Sequence, residues 1–131
     1  MDFQANIKLI TILTTNDDYS TFASLLRNVI GGKDVGEING TITRSRNKKI
    51  FQIDHSSLDP DLRNINTGFL FYTTTIEKSF EIGCTEFRSS TILNESSEGI
   101  WNKIYDKYYN CKTHKYGNHI YYSITREKDL L

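Results

Sequence analysis

The residue types best suited to chemistry lie close together near the middle of the chain. Side chains that can move a proton or ligate a metal ion fall within the segment 54–61. They are Asp54, His55, Asp59 and Asp61. A His-x-Ser triplet, His55 to Ser57, could also lie beside a phosphate. The segment is also rich in Ser, Asp and Pro, which favour turns, so we predict a turn without catalytic residues and keep a reactive centre as the alternative.

A second group has the side chains that zinc prefers, which bind it as four ligands in a tetrahedron. Its members are Cys84, Cys111, His114 and His119. However, both cysteines fall in line with apolar neighbours, where cysteine packs as a small hydrophobe. Basic residues flank His114 and would repel a cation. The spacing matches no zinc module, so we predict no metal and no cofactor.

Motifs with an established mechanism are missing from the sequence. Gly31-Gly32 is not followed by Lys and Ser or Thr, so it predicts the end of a helix rather than a phosphate-binding loop. The chain also lacks a Gly-x-Ser-x-Gly elbow, a His-Glu-x-x-His helix and paired Cys-x-x-Cys segments. These absences argue against the common enzyme classes.

Charged and aromatic residues suggest a binding surface instead. Four basic residues fall on a predicted hairpin tip, and tyrosines, which are enriched at interfaces, cluster late in the chain. The predicted contact residues are Arg44, Arg46, Lys48, Lys49, Tyr108, Tyr109 and Tyr116. The alternative is an ordinary solvated surface, since charged side chains commonly serve solubility.

Composition predicts one globular domain spanning residues 1–131. Hydrophobic residues make up 37% of the chain and charged residues 24%, which is not a disordered composition. The 16 basic and 16 acidic residues cancel, which disfavours a general attraction to nucleic acid or to an anionic membrane. The start has no signal-peptide pattern and the two cysteines form no disulfide framework, so we predict a cytoplasmic protein with no membrane contact.

The pattern of apolar residues predicts an α+β fold in the order β-α-β-β-β-β-α-β. Apolar spacing from Tyr19 to Ile30 predicts a helix, and a second helix begins at Ser96 or Ser97 and carries its buried stripe to Cys111. Strands are predicted over 6–14, 37–44, 49–54, 67–76, 80–87 and 119–125, with loops over 56–66 and 111–118. We expect an antiparallel or mixed sheet with both helices on one face, of which a ferredoxin-like arrangement with an extra hairpin is one form.

Together these observations predict a small binding or inhibitory protein that occludes a larger protein partner, as immunity proteins and anti-defence inhibitors do. Two alternatives stay open. One is a small phosphoesterase that uses the 54–61 segment, with Arg44 or Arg46 holding the phosphate. The other is nucleotide or RNA binding without chemistry, through the basic hairpin tip.

Overall fold

Four antiparallel strands, each paired with the next, form the first half of the protein. The structure is a computed structural model that describes residues 6–15, 20–62, 65–91, 93 and 95–126. The strands are β1 (Ile7–Thr15), β2 (Ser20–Asn28), β3 (Lys33–Ser45) and β4 (Lys48–Leu58). Alternating residues of β2 and β3 are buried, the period of two expected of strands with one covered face.

The second half adds two helices and three strands to the same sheet. After a 3₁₀ turn at Pro60–Leu62 come α1 (Ile65–Glu81), β5 (Glu86–Arg88), α2 (Glu95–Lys107), β6 (Cys111–Tyr116) and β7 (His119–Thr125). The strand order is β1-β2-β3-β4-β5-β7-β6, in which β4 and β5 run parallel and the other neighbours are antiparallel. The predicted α+β class, with a mixed sheet and two helices, is confirmed.

An aromatic core fixes both helices on one face of the sheet. Phe51 of β4 stacks on Phe87 of β5 with ring centroids 4.9 Å apart, and Phe87 contacts Trp101 of α2 at 6.1 Å. Trp101 in turn contacts Tyr72 of α1 at 5.8 Å. Each buried aromatic ring removes a large apolar area from water, and the edge-to-face and stacked pairs add to that gain. Because α1 and α2 share this face, neither of them covers the opposite face.

The predicted first helix is wrong, because residues 20–28 form strand β2. The spacing of Phe22, Leu25 and Leu26 fits a helix, yet it also fits a strand with apolar residues on both faces. Pairing with β1 on one side and β3 on the other stabilises the strand, and such tertiary contacts override local periodicity. Gly32 lies at positive φ in the turn between β2 and β3 rather than after a helix. Tyr19 lies outside the described residues.

The predicted strands over 67–76 and 80–87 are also wrong, because most of this stretch is helix α1. Its threonines favour strands by intrinsic propensity. In the helix, their hydroxyls donate to backbone carbonyls of the preceding turn: Thr74 Oγ1 lies 2.7 Å from Leu70 O, and Thr75 Oγ1 lies 2.9 Å from Phe71 O. Burial of Phe71 and Ile76 against the sheet then outweighs the propensity.

The remaining boundaries are mixed. Strand 119–125 and the second helix are confirmed, while most of the predicted 111–118 loop is strand β6. Four consecutive strands precede α1, so the element order is neither the predicted one nor a ferredoxin-like one. None of the described helices combines the length and hydrophobicity needed to cross a lipid bilayer.

Gly40 allows β3 and β4 to approach closely, and we expect Gly40→Ala to destabilise the fold. A Cβ at this position would lie 2.1 Å from Gln52 O and 2.8 Å from Phe51 Cζ. We expect a loss of about 1–3 kcal/mol in the free energy of unfolding, measured by urea denaturation. The control is Gly31→Ala, where a Cβ meets nothing within 4 Å, with an expected change within about 0.5 kcal/mol. Equal effects of both substitutions would contradict this account of Gly40.

Candidate functional site

The parallel strands β4 and β5 pair over a short stretch and leave a gap. Their register joins Ile50–Gln52 to Glu86–Arg88, and within the described residues β4 continues to Leu58 paired with β3 alone. The Gln52 side chain donates to Ser89 O at the point where pairing ends. Ligands of sheets with parallel strands bind beyond the carboxyl ends of those strands. This gap is therefore the candidate site.

The backbone of β4 presents polar groups to the gap. Asp59 N–H donates to Val35 O at 2.7 Å, so backbone groups at Ser57 and His55 point toward β3 as well. Alternation then directs the N–H and C=O of Ser56 to the other side, into the gap. An extended ligand with amide groups can pair with such an edge.

The first turn of α1 adds an anion-binding character to the same end of the sheet. Backbone N–H groups at a helix N-terminus carry partial positive charge. No acidic side chain lies in the first turn of α1, and Lys103 of α2 places its Nζ 3.0 Å from Asn66 Oδ1. Lys103 Nζ also lies 4.8 Å from the ring centroid of Phe69. A lysine held beside a helix N-terminus strengthens the local positive potential.

Asp54 and His55 lie on strand β4, on the sheet face that the helices leave open. The register passes from Gly40↔Ile53 to Asn39↔His55, which makes Asp54 the extra residue of a β-bulge. Its Oδ2 accepts a hydrogen bond of 2.7 Å from Thr41 Oγ1. Asp54 and His55 are both exposed, and the strand continues to Leu58 although the predicted strand ends at Asp54. A carboxylate and an imidazole therefore belong to neighbouring residues at a β-bulge. Such bulges are common next to active sites.

Asp59 and Asp61 form the turn that the sequence predicts for this segment. Asp59 Oδ1 accepts from Asp61 N at 3.1 Å, and Asp59 O accepts from Leu62 N at 2.8 Å. Such Asx turns use the carboxylate locally. In the part of the chain that the structure describes, no three His, Cys, Asp or Glu residues converge as a metal site would require.

Among the described residues, the four candidate zinc ligands do not form a cluster, as the prediction of no zinc site assumes. Cys84 and Cys111 are buried in the hydrophobic core as free thiols. Burial raises the pKa of the Cys111 thiol to about 12, and burial also raises the pKa of Cys84 despite the nearby Lys49. His114 Nε2 lies 2.7 Å from Ser123 Oγ, and the His114 ring stacks on Tyr121, while His119 is exposed at the start of β7.

The predicted basic tip lies at the far end of β4 from the gap. Arg44, Arg46 and Lys48 are exposed around the β3–β4 turn, where Arg46 adopts positive φ. Lys49 serves the fold, because its Nζ donates to Ile82 O at 2.9 Å just after α1. Lys48 and Asp54 are six positions apart along the extended strand, a distance of about 20 Å. The phosphoesterase hypothesis requires the basic tip and Asp54 to act on the same phosphate, and this distance excludes that.

The predicted tyrosines divide between the two ends of the sheet. Tyr109 is 75% exposed beyond the last turn of α2, at the end of the sheet that carries the basic tip. Tyr116 is 61% exposed at the β6–β7 turn, at the opposite end. Tyr108 donates to Glu77 Oε1 at 3.0 Å, and burial, followed by Glu77, raises its pKa. That these side chains bind a partner stays a prediction.

Sequence reasoning missed the gap, Ser56, Asn66 and Lys103. The gap arises from where two strands stop pairing, and no local motif records that. One signal was available: Ile53 followed by the polar run Asp54–Ser57 breaks the alternation of a half-buried strand, as a bulge does. The start of α1 was hidden by its threonine-rich composition.

Solved structures similar to this chain include acyltransferases. They include a GNAT-family acetyltransferase from Staphylococcus aureus (17% identity, TM-score 0.56, covering 80% of this chain and 67% of that one). A second is a protein assigned as an acyl-CoA N-acyltransferase from Klebsiella pneumoniae (16%, 0.55, 80% and 72%). A third is an IAA acetyltransferase from Bacillus cereus (12%, 0.55, 81% and 78%). These similarities show a common fold.

Searches by sequence found no match among protein-family models or among curated proteins. The structural similarity contradicts the predicted occluding inhibitor of the immunity or anti-defence kind, because the similar structures are enzymes that transfer acyl groups. It supports neither alternative, the phosphoesterase or the nucleotide- or RNA-binding domain. The spacing of the tyrosines and the charge of the basic residues gave the wrong function because they reflect which side chains are exposed to solvent. The gap between β4 and β5 leaves no such local pattern in the sequence.

The raised thiol pKa values predict slow labelling and a loss of stability at high pH. Well below the ordinary thiol pKa of about 8.5, the folded and the unfolded thiols are both protonated. As pH rises through that value toward 12, the unfolded Cys111 ionises and the folded one stays protonated. Unfolding free energy should therefore fall across this window, by up to about 1.4 kcal/mol per pH unit from this thiol.

Urea denaturation from pH 8 to pH 11 measures this slope, and Cys111→Ala should make it shallower. Iodoacetamide at pH 8 should label both cysteines in urea and neither in buffer. Rapid labelling of the folded protein would disprove the burial account.

Proposed function

We propose that this protein is an N-acyltransferase that takes its acyl group from an acyl-coenzyme A thioester and gives it to a primary amine. The observation that carries the proposal is the gap between β4 and β5, in a fold shared with acetyltransferases. The thioester would supply an activated acyl group, so the chain itself needs to bind, orient and move a proton. This proposal replaces the prediction that no cofactor is used.

The residues around the gap fit a coenzyme A ester. Its diphosphate is an anion, which suits the first turn of α1 and the ammonium of Lys103. Its pantetheine arm carries amides in an extended chain, which suits the outward-facing backbone of β4 at Ser56. Gly68 allows α1 and α2 to pack closely beside this turn, because a Cβ there would lie 2.5 Å from Ile100 Cδ1 and the Ile100 side chain would have to shift.

Asp54 and His55 are the groups that can hold the amine's proton. A primary amine is protonated near neutral pH and must lose a proton to act as a nucleophile. Asp54 is anchored by Thr41 and remains exposed on the open face, so an amine can approach it without displacing a helix. The backbone N–H of Ser56, two residues after Asp54, would stabilise negative charge on the carbonyl oxygen of the thioester.

The cytoplasmic location predicted from sequence stays a prediction, and it agrees with the use of a coenzyme A thioester.

The amine substrate would lie on the open face of the sheet, where Glu37 and Asp54 contribute negative charge. Glu37 Oε1 accepts from Asn39 Nδ2 at 2.6 Å, so both carboxylates are held in defined positions. Negative charge attracts a cationic amine.

The activity test follows release of free coenzyme A thiol from acetyl-coenzyme A. The amines offered are a polyamine, an amino acid and an aromatic monoamine. We expect release with at least one amine, and Asp54→Asn should lower kcat by about 10²-fold or more, since it keeps the Thr41 hydrogen bond and loses the base. Asp106→Asn, on the exposed side of α2, is the matched control and should leave kcat unchanged.

Lys103→Met tests the binding site separately. It should raise the KM for acetyl-coenzyme A roughly two- to fivefold with little change in kcat, because it removes one partly exposed ionic contact. Lys48→Met at the hairpin tip is the control. If coenzyme A neither raises the melting temperature nor is released with any amine, the proposal is wrong.

A further inference from the structure

Strand β1 forms an edge of the sheet and is unusually apolar for an edge. It is the first strand in the sheet order and pairs with β2 on one side. Its outer half exposes large apolar side chains on both faces, with Ile12 45% and Leu13 47% exposed. Lys8 is the single charged residue in its nine positions. Long apolar edges invite pairing with another strand, and proteins usually protect them with charge or proline.

The other edge of the sheet is protected in that way. Strand β6 is six residues long and carries Lys112, Lys115 and a histidine. Lysines on an edge strand oppose pairing with a second chain. The contrast between the two edges makes β1 the strand that lacks this protection within the described sheet.

The hydrogen-bond pattern fixes which backbone groups of β1 face outward. Val29 N donates to Asn6 O at 2.9 Å, so the groups of Asn6 point toward β2. The direction of the backbone N–H and C=O groups alternates along an antiparallel strand. The backbone groups of every second residue after Asn6, from Lys8 to Thr14, therefore also point toward β2. The residues between them present N–H and C=O outward. They are Ile7, Leu9, Thr11, Leu13 and Thr15.

The sequence of β1 is symmetric about one of those outward residues. Around Thr11, the segment reads Leu9-Ile10-Thr11-Ile12-Leu13, the same in both directions. A two-fold axis through Thr11 would pair outward residues with outward residues, Leu9 with Leu13 of a second copy and Ile7 with Thr15 of that copy. Ile10 would meet Ile12 on the open face. Lys8 would lie opposite Thr14, so no like charges face each other.

We propose that two copies of this protein form a homodimer by antiparallel pairing of their β1 strands about Thr11. The paired edge joins the two sheets into one and covers the exposed apolar side chains on both faces. The interface is isologous, as a two-fold dimer requires, because the same residues serve on each copy. Both pairs of helices then lie on the same side of the joined sheet.

The first experiment measures the sedimentation of three forms of the full chain over a range of concentrations. We expect the unmodified protein to form a dimer. Thr11→Lys should abolish it, because two lysines would meet at the axis. Thr113→Lys, an exposed position on the opposite edge strand β6, is the matched control and should keep the dimer. Far-ultraviolet circular dichroism checks that both variants fold.

A cysteine experiment tests the register and does not depend on the lysine variant. In the proposed pairing, the two Thr11 Cα atoms lie about 5.5 Å apart, within disulfide range. Thr11→Cys should therefore cross-link with oxidised glutathione, whereas Leu9→Cys should not, because Leu9 faces Leu13. The native Cys84 and Cys111 are buried and do not interfere.

The proposal is overturned by a monomer at every concentration, by a dimer that survives Thr11→Lys, or by equal cross-linking through positions 9 and 11. It is independent of the proposed activity, since the axis lies at the edge furthest from β4 along the meander.

Discussion

Three residue pairs between β4 and β5 hold the two halves of this protein together. Ile50, Phe51 and Gln52 pair with Glu86, Phe87 and Arg88, and the stacked rings of Phe51 and Phe87 lie beneath them. Thr85 and Lys49 extend the junction through a backbone hydrogen bond of 2.7 Å. The first four strands are otherwise a meander with an open apolar face, and β6 and β7 are a hairpin that is marginal by itself. The helices can pack only where this junction places a continuous sheet beneath them.

The same junction produces the candidate site by ending early. Pairing stops at Gln52, and the chain then bulges at Asp54, which keeps β4 paired with β3 while freeing its other side. A bulge costs a local ladder contact, and here it turns Asp54 and His55 onto the uncovered face. The gap, the outward backbone of β4 and the first turn of α1 thus follow from one irregularity in one strand. The proposed chemistry uses these features and no unusual side chain.

The helix-covered face of the sheet and the opposite face have different roles. The helix face is filled by aromatic rings and by two protonated thiols, and it stabilises the fold. The opposite face is polar at β3 and β4, which suits an amine substrate, and apolar at β1, which suits a second copy. Similar acetyltransferase structures supply the common fold, while the amine and the dimer rest on this chain's own residues.

The sequence by itself determined the α+β class, the second helix and the final strand, because each depends on periodicity within one segment. Only the tertiary structure decided that residues 20–28 form a strand and that the threonine-rich stretch forms a helix, since both patterns fit either element until sheet pairing and core packing choose. It also decided the site. Asp54 and His55 were visible as reactive types, but Lys103 and Asn66 stand 37 positions apart in the sequence and meet only because α1 and α2 pack together. The spacing of residues indicates which of them lie in the same helix or strand. The gap depends on where β4 and β5 stop pairing, so the spacing within either strand does not predict it.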